Sequence, residues 1–192
     1  MYDRILSNLN RHVQLSEEEK ELFTSSIKVR QLRKRQYFLQ PGDVMRFEVF
    51  VTEGCLRQYY VDEKGQEHSM MFAFEDWWTG DMYSFLSGKP SKYHLEAIED
   101  TTLLLIERNQ LEQLYDQIPQ LNRFYRILLQ NAYVVMSERI NQSLSMTAEE
   151  RYHAFQQRYP HFEQRLSLKH IASYLGITPE SLSRIRAQRK NT

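Results

Sequence analysis

One stretch near the C-terminus limits the folds open to this chain more than any other. Ser167 to Gln188 reads SLKHIASYLGITPESLSRIRAQ, two short amphipathic segments that meet at a glycine. In the first, Leu168, Ile171, Ala172 and Leu175 recur at three- and four-residue spacing, the stripe of one helix. Ser167 stands just before it, where its hydroxyl can accept an orphan backbone N–H. Gly176 follows, able to close a helix at positive φ without steric penalty. Thr178 and Pro179 then read as N-cap and first residue of a second helix, because proline's fixed φ suits that position. That helix turns Leu182 and Ile185 inward and leaves Glu180, Ser181, Ser183, Arg184 and Gln188 outward.

A small residue at Ala172 lets the second helix cross closely over the first, and Ile177 plugs the angle between them. This is the build of a helix-turn-helix, with Pro179 to Arg189 as recognition helix. The plain alternative is an αα-hairpin in an all-helical domain. Charge favours the first reading. The formal net charge is zero, but residues 151–192 hold eight Lys and Arg against two acids, leaving seventeen against twenty-three in residues 1–150. An acidic body with a basic tail suits a body that senses and a tail that touches phosphate; alternatively, the tail is a solvated basic face.

Several function classes drop out. At 192 residues the chain can hold one sizeable domain and a small one. No apolar run reaches membrane-spanning length, and MYDRILSNLN lacks the charged-then-apolar layout of a secretory signal. Cys55 is the only cysteine, so neither an intrachain disulfide nor a four-cysteine cluster is expected. These features fit a cytoplasmic protein without membrane attachment. The six histidines (His12, His68, His94, His153, His161, His170) show no ligand spacing with one another or with Cys55. No Gly-x-Ser-x-Gly, P-loop or dinucleotide fingerprint occurs. No catalytic residue and no metal ligand is expected, and the protein is not read as an enzyme. Cys55 is read as a packed small residue; Trp77 and Trp78 are either core or a rim patch.

In chain order, Ser16 to Glu19 has capping-box spacing and predicts a helix through about Ser25. From Ile27 to Leu105 the pattern turns to short strands. Val29, Leu32, Tyr37 and Leu39 alternate loosely before the turn Pro41-Gly42-Asp43. Strands are expected over Phe47 to Thr52, Leu56 to Val61 and Glu67 to Phe74, separated by Glu53-Gly54 and by Asp62 to Gly65. Gly80 to Phe85 reads as a short helical turn, Tyr93 to Ile98 and Leu103 to Ile106 as further strands. Turns this frequent suggest a small antiparallel barrel or roll. Arg108 to Gln117 is a short helix, stopped before Pro119. Leu121 to Leu144 is one long helix, apolar at Leu121, Phe124, Leu128, Val135 and Met136 and widened by Ile127, Leu129 and Tyr133. So broad a stripe must bury two faces, one on the strands and one on a partner, unless it is the core helix of a single chain. Thr147 to Glu150 is a second capping box, which opens a helix over Ala148 to Arg158 and marks a change of direction at Ser145-Met146.

With these elements in place the chain resembles the Crp/Fnr family of bacterial transcription regulators over nearly its whole length. HIASYLGITPESLSRIR carries most of the resemblance. The turns Pro41-Gly42-Asp43, Gly54, Gly65 and Gly80-Asp81 fall in the family's order and spacing. The resemblance implies an α+β chain: an N-terminal antiparallel β-roll of the cyclic-nucleotide-binding type (jelly-roll-like), a long dimerisation helix, and an all-α helix-turn-helix domain. The expected domains are 1–118 for the effector, 119–145 for the dimerisation helix and 146–192 for DNA binding. It further implies a homodimer through residues 121–144, double-stranded promoter DNA as partner, and RNA polymerase as a second candidate partner.

Side chains in the first two turns of a recognition helix read bases. Glu180 can accept from cytosine N4 and Arg184 can grip guanine O6 and N7, matching family positions that touch bases. The pair can equally be a surface salt bridge at i, i+4 spacing. Thr178, Pro179, Ser181, Ser183, Gln188 and Lys169 complete the expected DNA-binding set. Pro179 stands where many relatives carry a contacting arginine, so no operator sequence transfers. Most members continue into a β-hairpin wing, whereas this sequence stops at Thr192, so a DNA-binding domain without a wing is expected. In cyclic-nucleotide-binding relatives a Gly-Glu turn and an arginine hold the ligand's ribose and phosphate. Here those places fall at Gly80-Asp81 and at Ser91-Lys92. A shorter acid and no bidentate guanidinium argue against cyclic AMP. The expected effector pocket is Gly80, Asp81, Met82, Tyr83, Ser91, Lys92 and Asn131, with no certain cofactor and an unidentified small molecule as effector. Lys92 can supply a point charge or be a solvated loop lysine; Met70, Phe72 and Phe85 can line an apolar site or be core. The rival reading is a small-molecule-binding or interaction module without DNA-binding activity.

Overall fold

A computed structural model describes residues 2–160 and 163–190. These form two compact units: residues 1–60 with 71–130, and residues 61–70 with 131–192. The division falls inside the long helix and inside one β-hairpin. Among the described residues no helix is long and apolar enough to cross a membrane.

The first unit opens with α1 (Asp3–Asn10) and α2 (Glu17–Ser25). Helix α2 begins on the expected capping box, with the Ser16 hydroxyl accepting from Glu19 N–H at 3.2 Å and Glu19 reaching back to Ser16 N–H at 2.7 Å. Helix α1 has no such signal, since Tyr2 makes no side-chain cap, and tertiary burial of Ile5 and Leu9 holds it instead. Two four-stranded sheets follow. One runs β1 (Lys28–Leu32), β8 (Thr101–Glu107), β3 (Phe47–Glu53), β6 (Trp78–Thr79). The other runs β2 (Tyr37–Leu39), β7 (His94–Ala97), β4 (Leu56–Val61), β5 (Glu67–Ala73). Strand pairing is antiparallel. The short α3 (Met82–Ser87), α4 (Arg108–Gln117) and the start of α5 (Pro119–Ser145) complete the unit. This is the expected antiparallel roll followed by a long helix.

Alternation along β3 explains how the roll is sealed. Phe50 and Glu48 share one face of the strand, Val49 and Val51 the other. Trp78 lies 5.1 Å from the Phe50 ring, 5.7 Å from Phe124 and 5.5 Å from Tyr125, so it closes the sheet against the first turns of α5. Its indole N–H donates to Asn8 Oδ1 at 2.9 Å, and Asn8 in turn donates to the Asp76 backbone carbonyl at 3.0 Å. Trp78 is therefore a seam residue that ties β6 to α1 and α5. Cys55 is fully buried, as a packed small residue should be. The glycine before it is obligatory: at Gly54, φ is +88° and a Cβ would meet Thr101 Cα at 2.7 Å. Glu48 is buried too, and burial pushes its carboxyl up to about 7. The hydroxyl of Tyr125, also buried, has no hydrogen-bond partner.

The second unit contains the rest of α5, α6 (Ala148–Arg158), a short 3-10 turn (Glu163–Arg165), α7 (Leu168–Leu175), α8 (Pro179–Lys190) and the tip of the β4–β5 hairpin. Helix α6 has the predicted bounds and capping box, with the Thr147 hydroxyl accepting from Glu150 N–H at 3.3 Å. Its core is small and aromatic: Tyr152, Phe155 and Tyr159 with Leu166, Ile171, Ala172, Leu175 and Leu182. The Phe155, Tyr159 and Tyr174 rings stand 5.1 to 5.6 Å apart. Residues 161–162, between α6 and the 3-10 turn, lie outside the described residues.

Candidate nucleic-acid interface

The two C-terminal helices form as their sequence requires. The Ser167 hydroxyl accepts from His170 N–H at 3.1 Å and starts α7. Gly176 ends it at φ +67°, its N–H returning to the Ser173 carbonyl, while Ile177 N–H bonds the Ala172 carbonyl at 3.1 Å. The Thr178 hydroxyl accepts from Ser181 N–H at 3.2 Å and opens α8 at Pro179. Ala172 is 1% exposed and Leu182 fully buried, so the helices cross where the small residue permits it.

The outward edge of α8 is polar and open. Glu180, Ser183, Arg184 and Gln188 are exposed, with Ser181 partly covered. Arg184 turns to Ser181, donating to its hydroxyl at 3.3 Å, rather than gripping Glu180. Glu180's carboxylate is held below its usual range by its own backbone N–H and the Thr178 hydroxyl, Arg184 adding less. The edge therefore presents an ionised acceptor and a guanidinium donor one turn apart. Thr178 and Pro179 act as cap and first turn, so they position this edge. Lys169, on α7, is paired with Glu67 of the hairpin at 3.1 Å.

Side-chain ties that the sequence pattern did not reveal hold this unit together. Arg151 of α6 donates to the Leu175 carbonyl at 3.1 Å and to the Met146 carbonyl at 2.7 Å, locking the end of α7 to the end of α5. Arg139 of α5 donates to the Ser69 carbonyl at 2.7 Å and to the Tyr174 carbonyl at 3.3 Å, its guanidinium 4.0 Å from the Tyr174 ring centre. Arg186 Nε donates to the Tyr152 hydroxyl at 3.1 Å and is spent on the core. Only helix phase hinted at these roles, since an arginine on a polar face looks the same whether it meets water or a carbonyl.

The candidate effector residues divide. In the first unit Asp81 is 3% exposed; its Oδ1 caps α3 by accepting from Ser84 N–H at 3.2 Å, while its Oδ2 is buried with no partner. Ser91 is also buried, its hydroxyl accepting from Tyr93 N–H at 3.0 Å. Burial and the nearby Asp81 carboxylate push the Tyr93 phenol up, which places Asp81 and Tyr93 in one neighbourhood. Gly80 and Met82 flank it. Tyr83 is 61% exposed and Lys92 is a solvated loop lysine. Asn131 is exposed on α5 in the other unit. Phe72 and Phe85 are buried. The sequence reading passed over Arg57, which is 1% exposed and lies 4.2 Å over the Tyr59 ring. Among the described residues it is the one buried cation, and only its place inside LRQYYV, opposite an apolar neighbour, could have drawn notice.

Comparison with known proteins agrees with this geometry. The cyclic nucleotide-binding domain family matches residues 29–118, the roll and α4. The regulatory protein HlyX of Actinobacillus pleuropneumoniae is 29% identical over 167 residues, which cover 80% of this chain and 68% of that protein. The fumarate and nitrate reduction regulatory protein of Vibrio cholerae is 26% identical over 167 residues, covering 80% and 65%. The chain is similar to regulators of the Crp/Fnr type. It spans about two thirds of the length of these curated relatives. In fold, the chain is similar to FixK2 from Bradyrhizobium japonicum, with a TM-score of 0.74 at 22% identity, covering 86% of this chain and 85% of that one. The two curated relatives are named as regulatory proteins.

Proposed function

We propose that this chain binds double-stranded promoter DNA as a homodimer and regulates transcription, with a small-molecule effector acting through the roll. The observation that carries the reading is the exposed edge of α8, where Glu180, Ser183, Arg184 and Gln188 stand clear of a core that buries Leu182. In the major groove such an edge pairs an acceptor with cytosine N4 and a guanidinium with guanine O6 and N7. Self-association is supported by α5, which leaves Leu129, Tyr133, Met136, Ile140 and Leu144 exposed at steps of four, three, four and four residues. Two such helices side by side would cover that seam. They would also present two α8 helices to successive major grooves about 34 Å apart.

The division of labour follows: residues 1–118 as effector domain, 119–145 as dimerisation helix, 146–192 as DNA-binding domain. The effector has to suit Asp81 and Ser91, which offer a carboxylate and a hydroxyl and no guanidinium, so a ligand other than cyclic AMP fits better. The test is a selection of bound sequences from a random duplex pool, followed by gel-shift titration of the enriched site. Arg184→Ala should weaken that site by about 10- to 100-fold, equivalent to the ~1–3 kcal/mol of a bidentate base contact. No enrichment from the pool, or equal affinity of the variant, would remove base reading by α8.

A further inference from the structure

The tip of the β4–β5 hairpin packs into the same unit as the helix-turn-helix, and its contacts are specific. Ser173, on α7, sits at their centre. Its Oγ donates to the Glu67 carbonyl at 2.6 Å and accepts from Ser69 N–H at 2.9 Å and from the Ser69 hydroxyl at 3.1 Å. One hydroxyl proton and two lone pairs are thereby all used. Ser69 is 1% exposed, so the contact excludes water. Arg139 closes it from the α5 side through the Ser69 carbonyl. One turn before Ser173, the Lys169 ammonium meets Glu67 Oε1 at 3.1 Å.

The charge of the hairpin opposes the work proposed for α7. Asp62, Glu63 and Glu67 outnumber Lys64 over 62–67. Asp62 is fixed in place, accepting from the N–H groups of Lys64 and Gln66 at 2.9 Å and meeting His68 Nε2 at 2.8 Å. Lys169 stands in the first turn of α7, where the helix dipole and unbonded N–H groups also favour anions. A DNA phosphate and the Glu67 carboxylate are thus two anions seeking one ammonium. Lys169's side chain is 68% exposed and that of Glu67 29%, so the outer side of the ammonium stays open to exchange.

We propose that the acidic β4–β5 tip is an autoinhibitory clasp on α7: it occupies Lys169 and sets negative charge beside the helix start, and DNA backbone must displace it. This rests on the DNA-binding reading and gives that site its regulation. Any event that draws the hairpin away from Ser173 frees a phosphate contact and removes a repulsion at once.

The test uses the full chain and a random-sequence duplex of about three helical turns, with anisotropy titrations between about 50 and 200 mM salt. Random sequence is the right probe because the clasp governs phosphate contact. Glu67→Gln, which keeps the shape and removes the charge, should tighten binding about fivefold at the lowest salt. It should also steepen the slope of log K against log salt by about 0.9, the signature of one added phosphate contact. The added slope and most of the gain should vanish in a Lys169→Gln background, which leaves only the relief of repulsion. Ser173→Ala, which loosens the hairpin and leaves every charge in place, should tighten binding in the same direction. Unchanged or weaker binding by Glu67→Gln, with an unchanged slope, would make the hairpin a mere support and overturn the clasp while the DNA-binding reading stood. Failure of the wild type and both variants to bind at the lowest salt would remove the DNA-binding reading, and the clasp with it.

Discussion

The two halves of α5 are built from similar residues and meet opposite fates. In the first, Leu121, Phe124 and Tyr125 are buried, with Phe124 and Tyr125 packed on Trp78 at 5.7 and 5.5 Å. In the second, Tyr133, Val134, Met136, Ile140 and Leu144 stand 52 to 81% exposed. Apolar side chains in a helix report that a face is to be covered; they do not report by what. The first unit supplies its own cover, from sheet and aromatic seam. The second has only a small aromatic core and leaves a contiguous stripe of the kind that marks an interaction surface.

One substitution type applied to both halves puts that difference to the test. Phe124→Ala opens a cavity in a sealed core and should lower unfolding stability by about 3–5 kcal/mol, read by denaturant titration. A loss under about 1 kcal/mol would mean the seam is not a core. Glu48→Gln probes how dry that half is. The Glu48 carboxyl rises from about 4.5 to about 7 on burial, so the folded state holds its proton where the unfolded chain has lost it. The contribution to stability is full below about pH 4.5, declines between 4.5 and 7, and is gone above 7. Glu48→Gln should therefore flatten this decline and exceed the wild type at pH 8 by up to roughly 3 kcal/mol. Parallel pH profiles for the two proteins would contradict it. In the second half, Met136→Ala should barely change unfolding of dilute protein yet weaken self-association about tenfold in sedimentation equilibrium. A cost to unfolding as large as that of Phe124→Ala would mean this face is already covered within one chain. The smallest effect is expected at Thr147→Ala, which removes the α6 cap: about 1 kcal/mol, seen first as faster amide exchange in residues 148–151.

Much of this fold was legible because local chemistry carried it. Thr147 and Glu150, Ser16 and Glu19, and Thr178-Pro179 each place a helix start within a few residues, whatever surrounds them. Helix Ala148–Arg158 stands at its predicted bounds for that reason, helix Arg108–Gln117 because Pro119 stops it, and strand Leu56–Val61 because Gly54 and the turn at Asp62 to Gly65 flank it. Helix α1 and the two-residue β6 escaped notice, since neither has a cap or a periodic run; Ile5, Leu9 and Trp78 become meaningful only once packed. The exposed edge of α8 was legible from helix phase, although Arg184's choice of Ser181 over Glu180 was not. Asp81 is the sharper case: the family resemblance offers it as an effector-pocket acid, and the sequence did not show that its Oδ1 also caps α3.

What the sequence alone determined, then, are the features fixed within a turn or two: caps, helix phase, strand alternation, and glycine where φ must be positive. Bonds reaching across four or fewer residues leave a pattern in the chain. Only the tertiary structure decided that Ser173, 104 positions from Ser69, is the hub of a buried hydroxyl network, and that Lys169 is held by an acid 102 positions away. Such contacts join residues whose types are ordinary in both places, and solvent exclusion, which gives them their strength, is a property of the folded neighbourhood rather than of either segment.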